Sequence, residues 1–133
     1  MAFRSLALPD LVHGSLWLAP MPGRLEPWDE FLQQARRAAL TRIVCLTPDE
    51  EVRALSVPYH DALQQGTLPC AWMHLPMRNF ALSDDERVFR EGVETLAQAL
   101  RDGESILLHC AAGIGRTGTA AACMLKRLGL DRA

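Results

Sequence analysis

Lysine is almost missing from this chain of 133 residues: Lys126 stands alone among 14 basic residues, and the rest are arginine. We read that skew as codon bias. Basic charge does not dominate either, because 16 acidic residues leave a net charge of -2. A nucleic-acid or membrane-surface role wants a basic face, so neither partner is expected. No apolar run approaches the roughly 20 residues that span a bilayer. The opening MAFRSLALPD is too short and broken for a secretory signal. Cysteine is sparse, at positions 45, 70, 110 and 123, without a Cys-x-x-Cys pair or a clustered Cys/His ligand set. No metal, no disulfide framework and a reducing, cytoplasmic setting are therefore expected.

What the chain does have is apolar content, 49%, enough for the core of one domain over residues 1–133. Strand and helix signals alternate. Ser15–Ala19 reads as a strand and residues 20–23 (PMPG) as a turn. Pro27 suits a first helical position, and Trp28, Phe31, Leu32, Ala35 and Ala39 follow at helical spacing. Residues 42–46 (RIVCL) read as a buried strand. Thr47, with Pro48 next and Glu50 three residues on, reads as a capping box for a helix to Leu55. Another short helix fits Val57–Gln65, and a strand fits residues 72–75. Ser83 to Glu86 forms a second capping box. Its helix carries Phe89, Val93, Leu96, Ala97 and Leu100 on one face and stops near Gly103. Ser105–His109 is the clearest strand, and residues 119–128 form a last helix stopped by Gly129. The expected class is α/β, with a mainly parallel central sheet flanked by helices.

Between the last strand and helix lies HCAAGIGRTG, residues 109–118. This is the carboxyl end of a strand, where ligands sit in open α/β sheets. Gly113, Gly115 and Gly118 relax steric limits, so the loop can curl with its N–H groups inward. The next helix adds free N–H groups and the positive end of its dipole. Ala111, Ala112, Gly113, Ile114 and Gly115 then cradle a tetrahedral oxyanion, and Arg116 closes it with a two-pronged donor. A cysteine under that field ionises easily. Cys110 is thus expected to attack a bound phosphoryl group, and water to hydrolyse the phosphocysteine, with no cofactor. His109 is expected to orient the loop rather than act as a base. Thr117 can donate its hydroxyl to the sulfur. Cys45, Cys70 and Cys123 read as core, as does His74; His13 and His60 carry no signal.

His-Cys-x5-Arg-Thr-Gly resembles the signature loop of the protein tyrosine phosphatase superfamily. The order of elements over residues 15–128 resembles the small dual-specificity phosphatases. The resemblance implies a phosphoric monoester hydrolase that would act on a phosphorylated protein or a small aryl phosphate. It also implies an aspartic acid, in a pattern like Pro-Ile-x-Asp, that protonates the leaving oxygen. Here Asn79 falls at that place, and Asn cannot deliver a proton. Asp84 and Asp85 are the nearby candidates, although both also suit the first turn of a helix; Asp61 is more remote. Arg78 is a candidate contact for the substrate. The chain ends short of the helices that usually follow the loop helix in that family. Members acting on polyphosphorylated inositides usually carry basic residues inside the loop; this one carries none, which favours a single phosphate monoester. The alternative reading is a phosphatase-like module that binds phosphate but turns over weakly.

Overall fold

The computed structural model describes residues 3–77 and 86–129. Five strands, β1 (Arg4–Leu6), β2 (Ser15–Ala19), β3 (Arg42–Cys45), β4 (Ala71–His74) and β5 (Ser105–His109), form one sheet in the order β1-β2-β5-β3-β4. Only β1 runs antiparallel, beside β2; the other pairs are parallel. The helices are α1 (Trp28–Arg37), α2 (Asp49–Leu55), α3 (Val57–Gln65), α4 (Glu86–Arg101) and α5 (Gly115–Leu128). The expected mainly parallel α/β class is what is found.

Side chains alternate faces along a strand, and that alternation builds two layers. Leu16, Leu18, Val44, Leu46, Ile106 and Leu108 point to one face, against Phe89, Val93, Leu96 and Leu100 of α4 and Ala120, Ala121 and Met124 of α5. Ile43 and Leu107 point to the other, against Phe31 and Ala35 of α1. Cys45, on that same second face, packs with Val52 of α2 and Tyr59 of α3. All five residues of β5 are buried, as a central parallel strand requires.

Several sequence expectations shift. Pro27 is the residue before α1, not its first. Thr47 caps nothing: Pro48 occupies the cap position of α2 with no side-chain cap bond. The Thr47 hydroxyl instead lies 3.3 Å from Cys45 Sγ, fully buried. The β4 strand sits one residue earlier than expected, and β1 carried no signal beyond RSL. Most consequentially, α5 starts at Gly115, not at Thr119. Two glycines in its first turn lower helix propensity, so the stretch reads as loop, yet Gly118 N–H donates to the Ile114 carbonyl at 2.8 Å. Of the loop glycines, Gly113 is the one whose conformation demands glycine. Its φ is +75°, and a Cβ there would lie 2.4 Å from the Ala19 carbonyl carbon. At Gly118 an added Cβ meets nothing within 4 Å, so the expected steric role of that glycine is not found.

Candidate active site

His109 ends β5 and Cys110 follows it, so the two side chains leave the sheet on opposite faces. Cys110 joins the α4–α5 layer at 2% exposure. Its Sγ accepts hydrogen bonds from Thr117 Oγ1–H at 3.0 Å and from Gly113 N–H at 3.3 Å. Burial pushes this thiol up, but the Thr117 hydroxyl and the amides of Thr117, Gly113 and Ile114 outweigh it, so its pKa lies below the ordinary value. Because α5 begins at Gly115, Arg116 and Thr117 stand in its first turn, where backbone N–H groups lack helical partners.

Two arginines that the sequence did not single out hold the loop from outside. Arg24 donates to the Ala111 carbonyl at 2.8 Å, with Met21 N–H at 3.3 Å on the same oxygen. Arg4 donates to the Gly113 carbonyl. A trans peptide sends its N–H opposite to its C=O. Fixing those two carbonyls outward turns the amides of Ala112 and Ile114 the other way, toward the sulfur side.

Arg116 is held from α2. Its Nη1 and Nη2 donate to the two carboxylate oxygens of Glu51, both at 2.9 Å, and Nη1 also donates to the Met77 carbonyl at 3.1 Å. The guanidinium has five N–H donors. Three are engaged with Glu51 and Met77; Nε–H and one N–H on Nη2 form the remaining edge, and the Cys110 sulfur also accepts from this guanidinium. That edge has the fork geometry of two phosphate oxygens. The Glu51 contacts, ahead of the charge of Cys110, hold Arg116 firmly protonated.

The imidazole of His109 turns to the opposite layer, where it joins a chain of hydrogen bonds. Trp72 Nε1 can only donate, and it donates to Tyr59 OH at 2.8 Å. Burial, then the charge of Cys45, keeps Tyr59 protonated well above its usual range. Its hydroxyl lies 2.7 Å from His109 Nε2 and hydrogen-bonds Cys45 as well. The Cys110 carbonyl, 3.2 Å from His109 Nδ1, can only accept, so Nδ1 carries a proton. Tyr59 and Trp72 are neighbours of His109 that no sequence signal marked.

Cys45 is core by burial yet not inert in its surroundings. Burial pushes its thiol up, and His109, His74 and Thr47 more than reverse this, to about 5. His74, half-buried, donates from Nε2 to the Thr47 carbonyl at 2.7 Å, and a hydrogen bond with Cys45 leads the causes that raise it to about 9. Both imidazoles, His109 and His74, hydrogen-bond the Cys45 sulfur. Cys70 is not in the core but half-buried against the α1 layer, and burial raises its thiol to about 11. Cys123 is partly buried against the α4–α5 layer.

The remaining candidates divide simply. Arg78, Asn79, Asp84 and Asp85 lie outside the described residues. Asp61 sits on α3, its carboxylate 3.9 Å from His60. Ala112 and Ile114 are exposed at the rim, and Gly113 is buried. Among the described residues no group of three or more His, Cys, Asp or Glu could hold a metal ion, and no helix is long and apolar enough to cross a membrane.

A parallel sheet whose central strand hands a low-pKa cysteine to an amide cradle, closed by an arginine from the next helix, defines the Cys-x5-Arg phosphatase fold. Residues 17–133 match the profile of a family described as Swiss Army Knife protein, DSP-PTPase phosphatase domain (PTP-SAK). The chain belongs to that family. No curated protein matches it. Among solved structures, kinase-associated phosphatase (KAP), with its catalytic-site cysteine replaced by serine, has a TM-score of 0.81 at 22% identity. That match covers 98% of this chain and 76% of the other. The glycine-to-alanine form of Tk-PTP gives 0.63 at 21%, over 93% and 71%. TpbA of P. aeruginosa gives 0.56 at 20%, over 89% and 65%. These likenesses are likenesses of fold.

Proposed function

We propose that the protein is a cysteine-dependent phosphomonoester hydrolase that works through a phosphocysteine. The observation that carries this reading is the sulfur of Cys110, held by the Thr117 hydroxyl at 3.0 Å and the Gly113 amide at 3.3 Å. Bonds to an ionised sulfur are bonds to a nucleophile at rest. A phosphate monoester occupies the amides of residues 111–115 and the open edge of Arg116. The sulfur attacks phosphorus, the P–O bond to the leaving group breaks, and that oxygen takes a proton. Water then attacks the thiophosphate, the S–P bond breaks, and the electron pair returns to sulfur as Thr117 donates to it. Arg116 and the amides stabilise the equatorial oxygens in both steps. A phosphorylated protein or an aryl phosphate is the substrate class, and no cofactor is needed.

The proton donor for the first step is assigned to Asp84 or Asp85, because Asn79 has no proton to give. If neither serves, the site binds phosphate and turns over weakly, which is the second reading. One experiment separates them: pH–rate profiles with p-nitrophenyl phosphate for the native protein and for Cys110→Ser, Asp84→Asn and Asp85→Asn. Expected are Cys110-dependent turnover and loss of the alkaline limb in one of the two Asp variants, since general acid catalysis is worth about 10²–10⁴ in rate. Phosphate binding without Cys110-dependent turnover would favour the binding module.

A further inference from the structure

Beside the cradle, on its outer side, lies a second hollow of about 470 Å³. One wall is the loop itself, through Ala112 and Ile114. The other is the segment from Pro20 to the start of α1, through Leu25, Glu26 and Glu30. Leu25 and Ile114 are 70% and 71% exposed. Single exposed apolar side chains such as Leu11 and Val57 occur elsewhere on the surface, but these two line the same hollow. Ile114 is both a cradle residue and a wall of the hollow, so a group joined to a bound phosphate has the hollow beside it.

The polar groups fix the chemistry further. Arg4 lines the hollow but spends a guanidinium N–H on the Gly113 carbonyl, and Arg24 nearby spends one on Ala111. Their charge adds to the cradle. Glu26, half-buried, accepts from Gly23 N–H through Oε1 at 3.0 Å and lines the hollow. Glu30 is exposed on the first turn of α1. Two carboxylates therefore stand behind two apolar side chains, at the side of a site built for a dianion.

We infer that this hollow is a specificity subsite for phosphoprotein segments that carry an apolar residue and a basic side chain next to the phosphorylated residue. The inference rests on the phosphatase reading and deepens it. The apolar residue covers Leu25 and Ile114, and the basic side chain reaches Glu26 and Glu30. An acidic flank meets the same carboxylates and is disfavoured.

The test uses the Cys110→Ser protein, which reads binding whether or not the native protein turns over. Phosphotyrosine peptides that differ only in Leu-Lys, Leu-Glu or Ser-Lys beside the phosphotyrosine are titrated by fluorescence anisotropy. The Leu-Lys peptide is expected to bind about tenfold more tightly than Leu-Glu, roughly 1.4 kcal/mol. Adding Glu30→Lys should abolish or invert that ratio, and adding Leu25→Ser should erase the advantage of Leu-Lys over Ser-Lys. Equal affinity for all peptides, no binding at all, or ratios untouched by both substitutions would overturn the subsite. Turnover of p-nitrophenyl phosphate by the native protein, expected to be lost in Cys110→Ser, reports separately on the phosphatase reading.

Discussion

Glu51 and Arg116 meet through two parallel N–H···O bonds of 2.9 Å, although 65 positions separate them. The pair sits at a part-buried boundary, with side-chain exposures of 10% for Arg116 and 32% for Glu51. Its effect is geometric: one edge of the guanidinium is fixed on α2 so that the other is aimed. Glu51→Gln keeps one acceptor and loses the charge. A charged hydrogen bond is worth about 1.5–3 kcal/mol, less here because water reaches Glu51. We expect kcat/KM to fall roughly tenfold. Arg116→Lys, which cannot present two prongs, should fall by about 10²–10³. Steady-state kinetics on an aryl phosphate check both, and equal rates for all three proteins would remove the aiming role.

Thr117 gives the sulfur its strongest side-chain bond. Thr117→Val keeps the shape and removes the hydroxyl. The thiolate then loses a stabilising donor, so the pKa of Cys110 must move up. Iodoacetate alkylation against pH is the measurement, with Cys110→Ser as the blank. The native midpoint should lie below that of an ordinary thiol, and the Thr117→Val midpoint should lie above the native one. A midpoint that moves down contradicts the hydrogen bond.

The two glycines on either side of Arg116 should respond oppositely to alanine. Gly113→Ala meets both a left-handed φ and a backbone contact at 2.4 Å. The φ alone costs about 1–2 kcal/mol, and the contact adds to it. Gly118→Ala lies in helix α5 with open space around it, where the change stabilises by about 0.5–1 kcal/mol. Thermal melts should show the first lowered by several degrees and the second unchanged or slightly raised.

Tyr59 joins Trp72 to His109. Tyr59→Phe removes the hydroxyl that faces Nε2 and leaves that nitrogen without this partner. In ring ¹⁵N spectra the native His109 should show a protonated Nδ1, and the Nε2 resonance should shift in the variant. Activity should fall only severalfold, since His109 touches the backbone of Cys110 and not the substrate. Unchanged spectra would break this link.

The parts of the molecule that were legible in the sequence are those written in consecutive residues. β2 and β5 are short apolar runs bounded by polar residues or turns, and α3 carries Pro58 in its first turn; all three matched to the residue. Cys110 and Thr117 could be paired because strand, loop and helix follow without interruption. Glu51 could not, because the DEE run at 49–51 reads as a helix start and only the order β5-β3 in the sheet brings it beside Arg116. Arg4 and Arg24 were hidden similarly, being 109 and 87 positions from the carbonyls they hold. Thr47 misled because a hydroxyl before Pro looks like a cap, while the buried sulfur two residues earlier is the partner it finds.

The opposite facing of His109 and Cys110 has one more consequence. Each layer of side chains on the sheet grips half of the same dipeptide, so the reactive sulfur has no compartment of its own. Loosening either layer slackens the cradle. Chemistry and folding in this small molecule are a single cooperative property, and a lesion in the aromatic layer under Trp72 would be felt at the phosphate without any side chain there having changed.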